Sequence, residues 1–206
     1  MKLEQYAMSK DRLGLERLVF FSDAVFAIAI TILVLDIRLP SGADSASSRE
    51  LFQALTGLWQ EYLAFFISFW TIGLSWISHH RKFLYIQRID NLLVTLNLLM
   101  LMLIVFIPFP TAVMSENVSF TATAFYALTM ILACLSGLIL WWYAARNHHL
   151  VNPSLDKHQI WKEALVPLAT IAIFVLSIGV AVLDEGLARI CWVLVFPVAF
   201  CLRRKF

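Results

Sequence analysis

Apolar residues fall into six runs separated by short polar or charged connectors. The runs cover residues 18–37, 55–78, 91–113, 119–145, 164–183 and 187–202. Each approaches the ~20 residues an α-helix needs to cross a hydrocarbon layer, the last being the shortest. The pattern predicts an all-α polytopic membrane protein, with residues 1–206 forming a single six-helix transmembrane domain. Between the runs, residues 39–50 are rich in Ser, Gly and Pro and read as a flexible loop. Residues 79–90 and 146–162 are basic connectors, while 115–119 and the segment around Asp184 and Glu185 read as tight turns. No internal repeat is visible.

Composition agrees with the pattern. Of 206 residues, 61% are hydrophobic and 15% charged, more apolar surface than a soluble domain of this size can bury. The formal net charge of +2 argues against a nucleic-acid partner. The lipid bilayer is the expected surrounding. Cys134, Cys191 and Cys201 lie in apolar runs with no C-x-x-C pair, so neither a disulfide framework nor a zinc site is predicted. The first run is too long for the apolar core of a signal peptide, carries Asp23, and lacks a small-residue cleavage site.

The distribution of Lys and Arg sets the orientation. Lys2, Lys10, Arg12 and Arg17 precede the first run. Arg81, Lys82 and Arg88 follow the second, Arg146, Lys157 and Lys162 follow the fourth, and Arg203, Arg204 and Lys205 close the chain. Only Arg38, Arg49 and Arg189 remain for the other side. The positive-inside rule then places both termini in the cytoplasm.

The stretch from Arg17 to Arg38, which brackets the first run, carries the candidate chemistry. Ser22 and Asp23 sit near its start, and an ionisable group inside a membrane helix usually faces protein or water and marks a pathway. Ala24, Ile28, Thr31 and Leu35 share one helical stripe. Such a stripe suits close packing around an axis, and it also suits ordinary helix packing. Trp76, His79 and His80 end the second run, and Asn97 lies within the third, all level with Arg17, Ser22 and Asp23. These residues, together with Phe21, are read as a polar clasp joining three helices, since polar groups in lipid must be paired; direct contact between Asp23 and an ion is the competing reading.

At these residues a family resemblance enters. R-x-x-x-F-S-D, from Arg17 through Phe21 to Asp23, followed by AVFAIAITILVLDI, resembles the first helix of the transmembrane protein 175 family of potassium channels. Trp76 and His79-His80, and the run NLLVTLNLLMLMLIVFIPFPT, extend the likeness to about half the chain. The family's animal members carry two six-helix repeats and pair as dimers. One repeat here implies a bacterial member assembling as a homotetramer in the inner cell membrane. The resemblance further implies that the first helix lines a central pore, with the constriction at Ile28, a hydroxyl ring at Thr31, a second aliphatic ring at Leu35 and Ala24 on the same stripe. The family often has glycine at the Ala24 position.

The expected function is passive, leak-type conduction of potassium and other monovalent cations. No cofactor is expected beyond the permeating potassium. No T-V-G-Y-G segment occurs, so the carbonyl-cage filter of ordinary potassium channels is not predicted. A proton-coupled transporter or proton-conducting protein using Asp23, His79 and His80 is the alternative, although neither an inverted repeat nor a pair of broken helices is evident. An enzyme is disfavoured, because H-E-x-x-H and G-x-S-x-G are both missing and adjacent histidines on a helix point about 100° apart.

Overall fold

A computed structural model describes the backbone of residues 2–40 and 47–204, with side chains from residue 11 onward. The predicted charges at Lys2, Lys10 and Lys205 and the loop positions 41–46 lie outside the described side chains. The described residues form nine α-helices: α1 (Lys2–Ile32), α2 (Ser48–Gly57), α3 (Trp59–Tyr85), α4 (Asn91–Phe106), α5 (Pro108–Glu116), α6 (Phe120–Ala145), α7 (Lys157–Ala181), α8 (Glu185–Cys191) and α9 (Val195–Arg204). Among the described residues, five segments are both long and apolar enough to cross a membrane: 11–36, 91–116, 120–148, 157–181 and 185–204. The second predicted run falls short on composition rather than length. α3 has 27 residues, but its Trp, Tyr, Ser, His, Arg and Lys side chains dilute its apolar character.

Local chemistry sets the helix boundaries. Asp90, Ser119 and Asp184 each accept a hydrogen bond from the backbone N–H three residues on, capping α4, α6 and α8. Pro108 lacks an N–H and begins α5, so the third run is two helices with a break at Ile107. The sixth run is similarly divided, α8 passing through a 3₁₀ turn at Trp192–Leu194 into α9.

Two boundaries differ from the sequence reading. The polar stretch after the first run is not loop throughout. The Ser47 hydroxyl accepts from the Glu50 N–H while the Glu50 carboxylate accepts from the Ser47 N–H, and this capping box starts α2 at Ser48. At the other end, α3 continues to Tyr85, so the basic connector shrinks to five residues. Its start pairs with the α6–α7 connector through an isolated antiparallel bridge between Ile86 and Val151.

The core lies in two clusters stacked along the bundle. The larger contains Phe26, Ile67, Ile72, Ile104, Tyr126, Phe174 and Trp192, drawn from α1, α3, α4, α6, α7 and the turn before α9. The smaller, around Leu18, Phe83, Leu93 and Trp141, sits at the end carrying the basic connectors. α1 packs on α3 and α4 at one edge of the bundle, and α6 with α7 forms its most extensive helix pair.

Candidate functional site

The residues of α1 divide into two faces. Leu18, Ser22, Phe26, Ala29 and Leu33 are buried, spaced three to four apart as an inward stripe requires. Facing away are Arg17, Phe21, Ala24, Ile28, Thr31 and Leu35, all exposed. Ile28 is 55% and Leu35 63% exposed. The helix tightens to 3₁₀ geometry over Leu33–Asp36, which turns Val34 outward beside Leu35 and widens the stripe at that end. A continuous apolar row of this kind on one edge of a chain marks a contact or lining surface.

Thr31 supplies the side-chain oxygen of the stripe. Its hydroxyl donates to the Ile28 carbonyl oxygen at 2.9 Å. The proton is thereby committed to the backbone, and the oxygen keeps its lone pairs for whatever faces the stripe.

Behind the stripe, a chain of hydrogen bonds ties α1 to α4 and α3. The Ser22 hydroxyl donates to the Leu18 carbonyl at 2.8 Å and accepts from Asn97 Nδ2 at 2.9 Å. Asn97 Oδ1 lies 2.9 Å from His79 Nε2. With the Asn97 amide donating to Ser22, its oxygen must accept, so His79 carries its proton on Nε2. Ser22 and Asn97 are fully buried, and the His79 ring is held between Phe26 and a stacked Phe83 at 4.2 Å.

Asp23 belongs to a separate contact. Trp76 Nε1 donates to its Oδ1 at 2.8 Å, and the Trp76 ring lies 5.8 Å from His80. The single clasp read from the sequence is therefore two contacts, Ser22–Asn97–His79 inside and Asp23–Trp76 with His80 at the rim. Arg17 and Phe21 take part in neither: both are exposed, because residues 17 and 21 lie on the outward face.

Three further polar knots carry no motif in the sequence. The Ser68 hydroxyl lies 2.8 Å from Thr111 and 2.9 Å from Tyr126, joining α3, α5 and α6. Arg81 pairs with Glu163 at 2.6 Å between α3 and α7. Arg189 donates to the Asn117 carbonyl at 2.6 Å, holding α8 against the α5–α6 turn. At the head of α4, burial works to raise the Asp90 carboxyl. Hydrogen bonds from the Tyr143 hydroxyl, the Leu93 N–H and His149, with the His149 charge, hold it below the ordinary carboxylate value. Among the described residues no group of three or more His, Cys, Asp or Glu side chains is arranged to hold a metal ion.

Long apolar helices, joined internally by buried hydrogen bonds, with an outward apolar stripe on the first, define a helical polytopic membrane protein. Comparison with known proteins names the family. Residues 17–108, from the arginine of the R-x-x-x-F-S-D motif to Pro108, match the family model described as the endosomal/lysosomal potassium channel TMEM175. A potassium channel from Streptomyces collinus is 43% identical over 145 residues, 68% of this chain and 69% of that protein. A potassium channel from Chamaesiphon minutus is 38% identical over 148 residues, 70% of this chain and 72% of that protein. The crystal structure of a lysosomal potassium-selective channel TMEM175 homologue from Chamaesiphon minutus superposes with a TM-score of 0.78 at 30% identity, covering 92% of this chain and 98% of that one. The chain belongs to the TMEM175 family, a family of channels and not of enzymes.

Proposed function

We propose that this chain is one subunit of a potassium-permeable, leak-type cation channel in a bacterial inner membrane, with α1 lining the pore of a homotetramer. The observation that carries the reading is the outward stripe Ala24, Ile28, Thr31 and Leu35, left open by a chain two of whose bacterial relatives are named potassium channels. One subunit presents only one such stripe, so a closed pore needs several copies around an axis. α3 counts as a sixth crossing, since 27 helical residues span ~40 Å and its charges, Glu61, Arg81 and Lys82, stand near its ends. An even number of crossings returns both termini to the cytoplasmic side with the basic connectors.

The physical division of labour follows from side-chain chemistry. A ring of Ile28 side chains offers no ligand to a cation and gates by steric closure or dewetting. Thr31 oxygens, their protons held by Ile28 carbonyls, replace part of a hydration shell one turn further on. Potassium surrenders water at less cost than sodium, so such a ring favours potassium without a carbonyl cage. Against a proton-coupled carrier stands the commitment of two of its three candidate groups, His79 Nε2 to Asn97 and Asp23 to Trp76; the third, His80, is exposed.

Reversal potentials of the purified protein in planar bilayers under a potassium–sodium gradient test this. Ile28→Asn should raise cation flux and weaken discrimination. Thr31→Val, which keeps the shape and removes the oxygen, should move the reversal potential toward zero while conduction persists. Were Thr31→Val to leave the reversal potential unchanged, Thr31 would be a packing residue.

A further inference from the structure

A partly open cavity of about 40 Å³ lies in the bundle, lined by α3, α4, α6, α7 and the start of α9. It is lined on α3 by Ser78, His79 and Lys82 and on α6 by Cys134 and Gly137. Apolar groups such as Met100 and Ile104 complete the wall. The polar groups here are unlike those elsewhere in the core, because they are not satisfied. Among the described residues, Ser78 Oγ has no hydrogen-bond partner, and neither has His79 Nδ1. Lys82 is 3% exposed and donates one hydrogen bond, from Nζ to the Gly137 carbonyl at 3.3 Å. Two of its three N–H groups are left over.

A buried ammonium without a counter-charge is costly. The nearest candidate carboxylate, Glu163, is committed to Arg81 at 2.6 Å. What the cavity lacks is charge rather than acceptors: the Ser78 oxygen and His79 Nδ1 can accept from the two spare Lys82 N–H groups, but neither offsets the ammonium. Water satisfies donors and acceptors alike, but it brings no charge.

The approach to the cavity has the matching sign. A second, smaller cavity shares Ser78 and Val166 with the first and opens among Arg81, Lys162, Glu163 and Arg203. Three cations and one already paired carboxylate give this entrance a positive field, which concentrates anions and repels cations.

We propose that the Lys82–Ser78 cavity is a binding site for a small inorganic anion of the halide class, entered past Arg81, Lys162 and Arg203. The anion accepts from the Lys82 ammonium and the Ser78 hydroxyl. A water beside it donates one hydrogen to the anion and the other to His79 Nδ1. Space measured this way is consumed at roughly 10–15 Å³ per water, so the cavity admits an anion and a water. Because His79 also holds Asn97 and through it Ser22, the bound anion braces the contact between α3 and the pore-facing helix from behind.

Thermal unfolding of the purified full-length protein in potassium chloride, potassium bromide and potassium gluconate at equal ionic strength tests the site. Chloride and bromide should raise the melting temperature above gluconate with saturating dependence on halide concentration. Ser78→Ala should move the halide midpoint about tenfold higher, the effect of losing one hydrogen bond to a charged group. Lys82→Met should abolish the halide response. Crystals grown in bromide should show an anomalous peak beside Lys82 Nζ. Should Lys82→Met fail to fold, Ser78→Ala and the bromide crystal decide the matter. Equal melting in halide and gluconate, an unshifted halide midpoint in Ser78→Ala, or water alone in the cavity of bromide-grown crystals would overturn the proposal.

Discussion

Replacing Asn97 with leucine should destabilise the protein by about 1.5–4.5 kcal/mol. The side chain keeps roughly its volume, so little cavity is created, and the cost is polar. Asn97 is fully buried and bonded at both ends, to Ser22 and to His79. Leucine leaves the buried His79 Nε2–H unpaired, which costs about 1–3 kcal/mol. It also removes the Asn97 bond to Ser22, whose hydroxyl still donates to the Leu18 carbonyl, for about 0.5–1.5 kcal/mol more. Denaturant titration of the purified protein in mild detergent, followed by tryptophan fluorescence, measures the change. Asn91→Ala, at an exposed position on the same helix, should stay within about 0.5 kcal/mol. The double variant Asn97→Leu with His79→Phe should be less destabilised than the sum of the two single variants, because removing both partners of a buried bond leaves nothing unpaired. An Asn97→Leu change no larger than the Asn91→Ala control, or strict additivity in the double variant, would refute the reasoning.

Other outcomes follow from the same geometry. Trp76→Phe keeps the ring against His80 but removes the N–H that Asp23 accepts, and should cost about 0.5–1.5 kcal/mol in the same titration. Asp90 has a folded-state pKa below its ordinary value, so its contribution is complete above the unfolded value of ~3.9 and disappears as pH falls through the folded one. The melting temperature should therefore hold steady from neutral to mildly acidic pH and drop below about pH 4, a drop that Asp90→Asn should blunt.

Much of the bundle was legible in the sequence because a membrane span is a long signal. The apolar runs correspond to α1, α3, α4 with α5, α6, α7, and α8 with α9. What periodicity missed were the breaks and the short amphipathic piece. Pro108 interrupts a run whose hydropathy is continuous across it, and α2 lies in a stretch whose overall polarity read as loop. The signal for α2 was nonetheless present as Ser47 followed three residues later by Glu50.

The candidate site was legible where depth and motif coincided. Ser22, Asn97 and His79 stand at one level of the bundle and meet there. Arg17 and Phe21 were grouped with them by proximity in sequence, but helix phase sends them to the other face. The Ser68–Thr111–Tyr126 knot was invisible because hydroxyl residues are common in apolar helices and their pairing depends on how α5 tilts after Pro108. The Arg189 contact was hidden because sequence counts its charge and does not show the carbonyl of Asn117 that receives it.

The claim that α1 lines the conduction path has a direct test. Ile28→Cys, in a background where Cys191 and Cys201 are serine, is reconstituted in liposomes, and potassium flux is followed before and after a bulky thiol-reactive reagent. The account predicts conduction that the reagent blocks in Ile28→Cys and leaves intact in Leu132→Cys, whose side chain is exposed on α6 away from the stripe. Potassium flux that survives full modification at residue 28, or is blocked equally from residue 132, would contradict it.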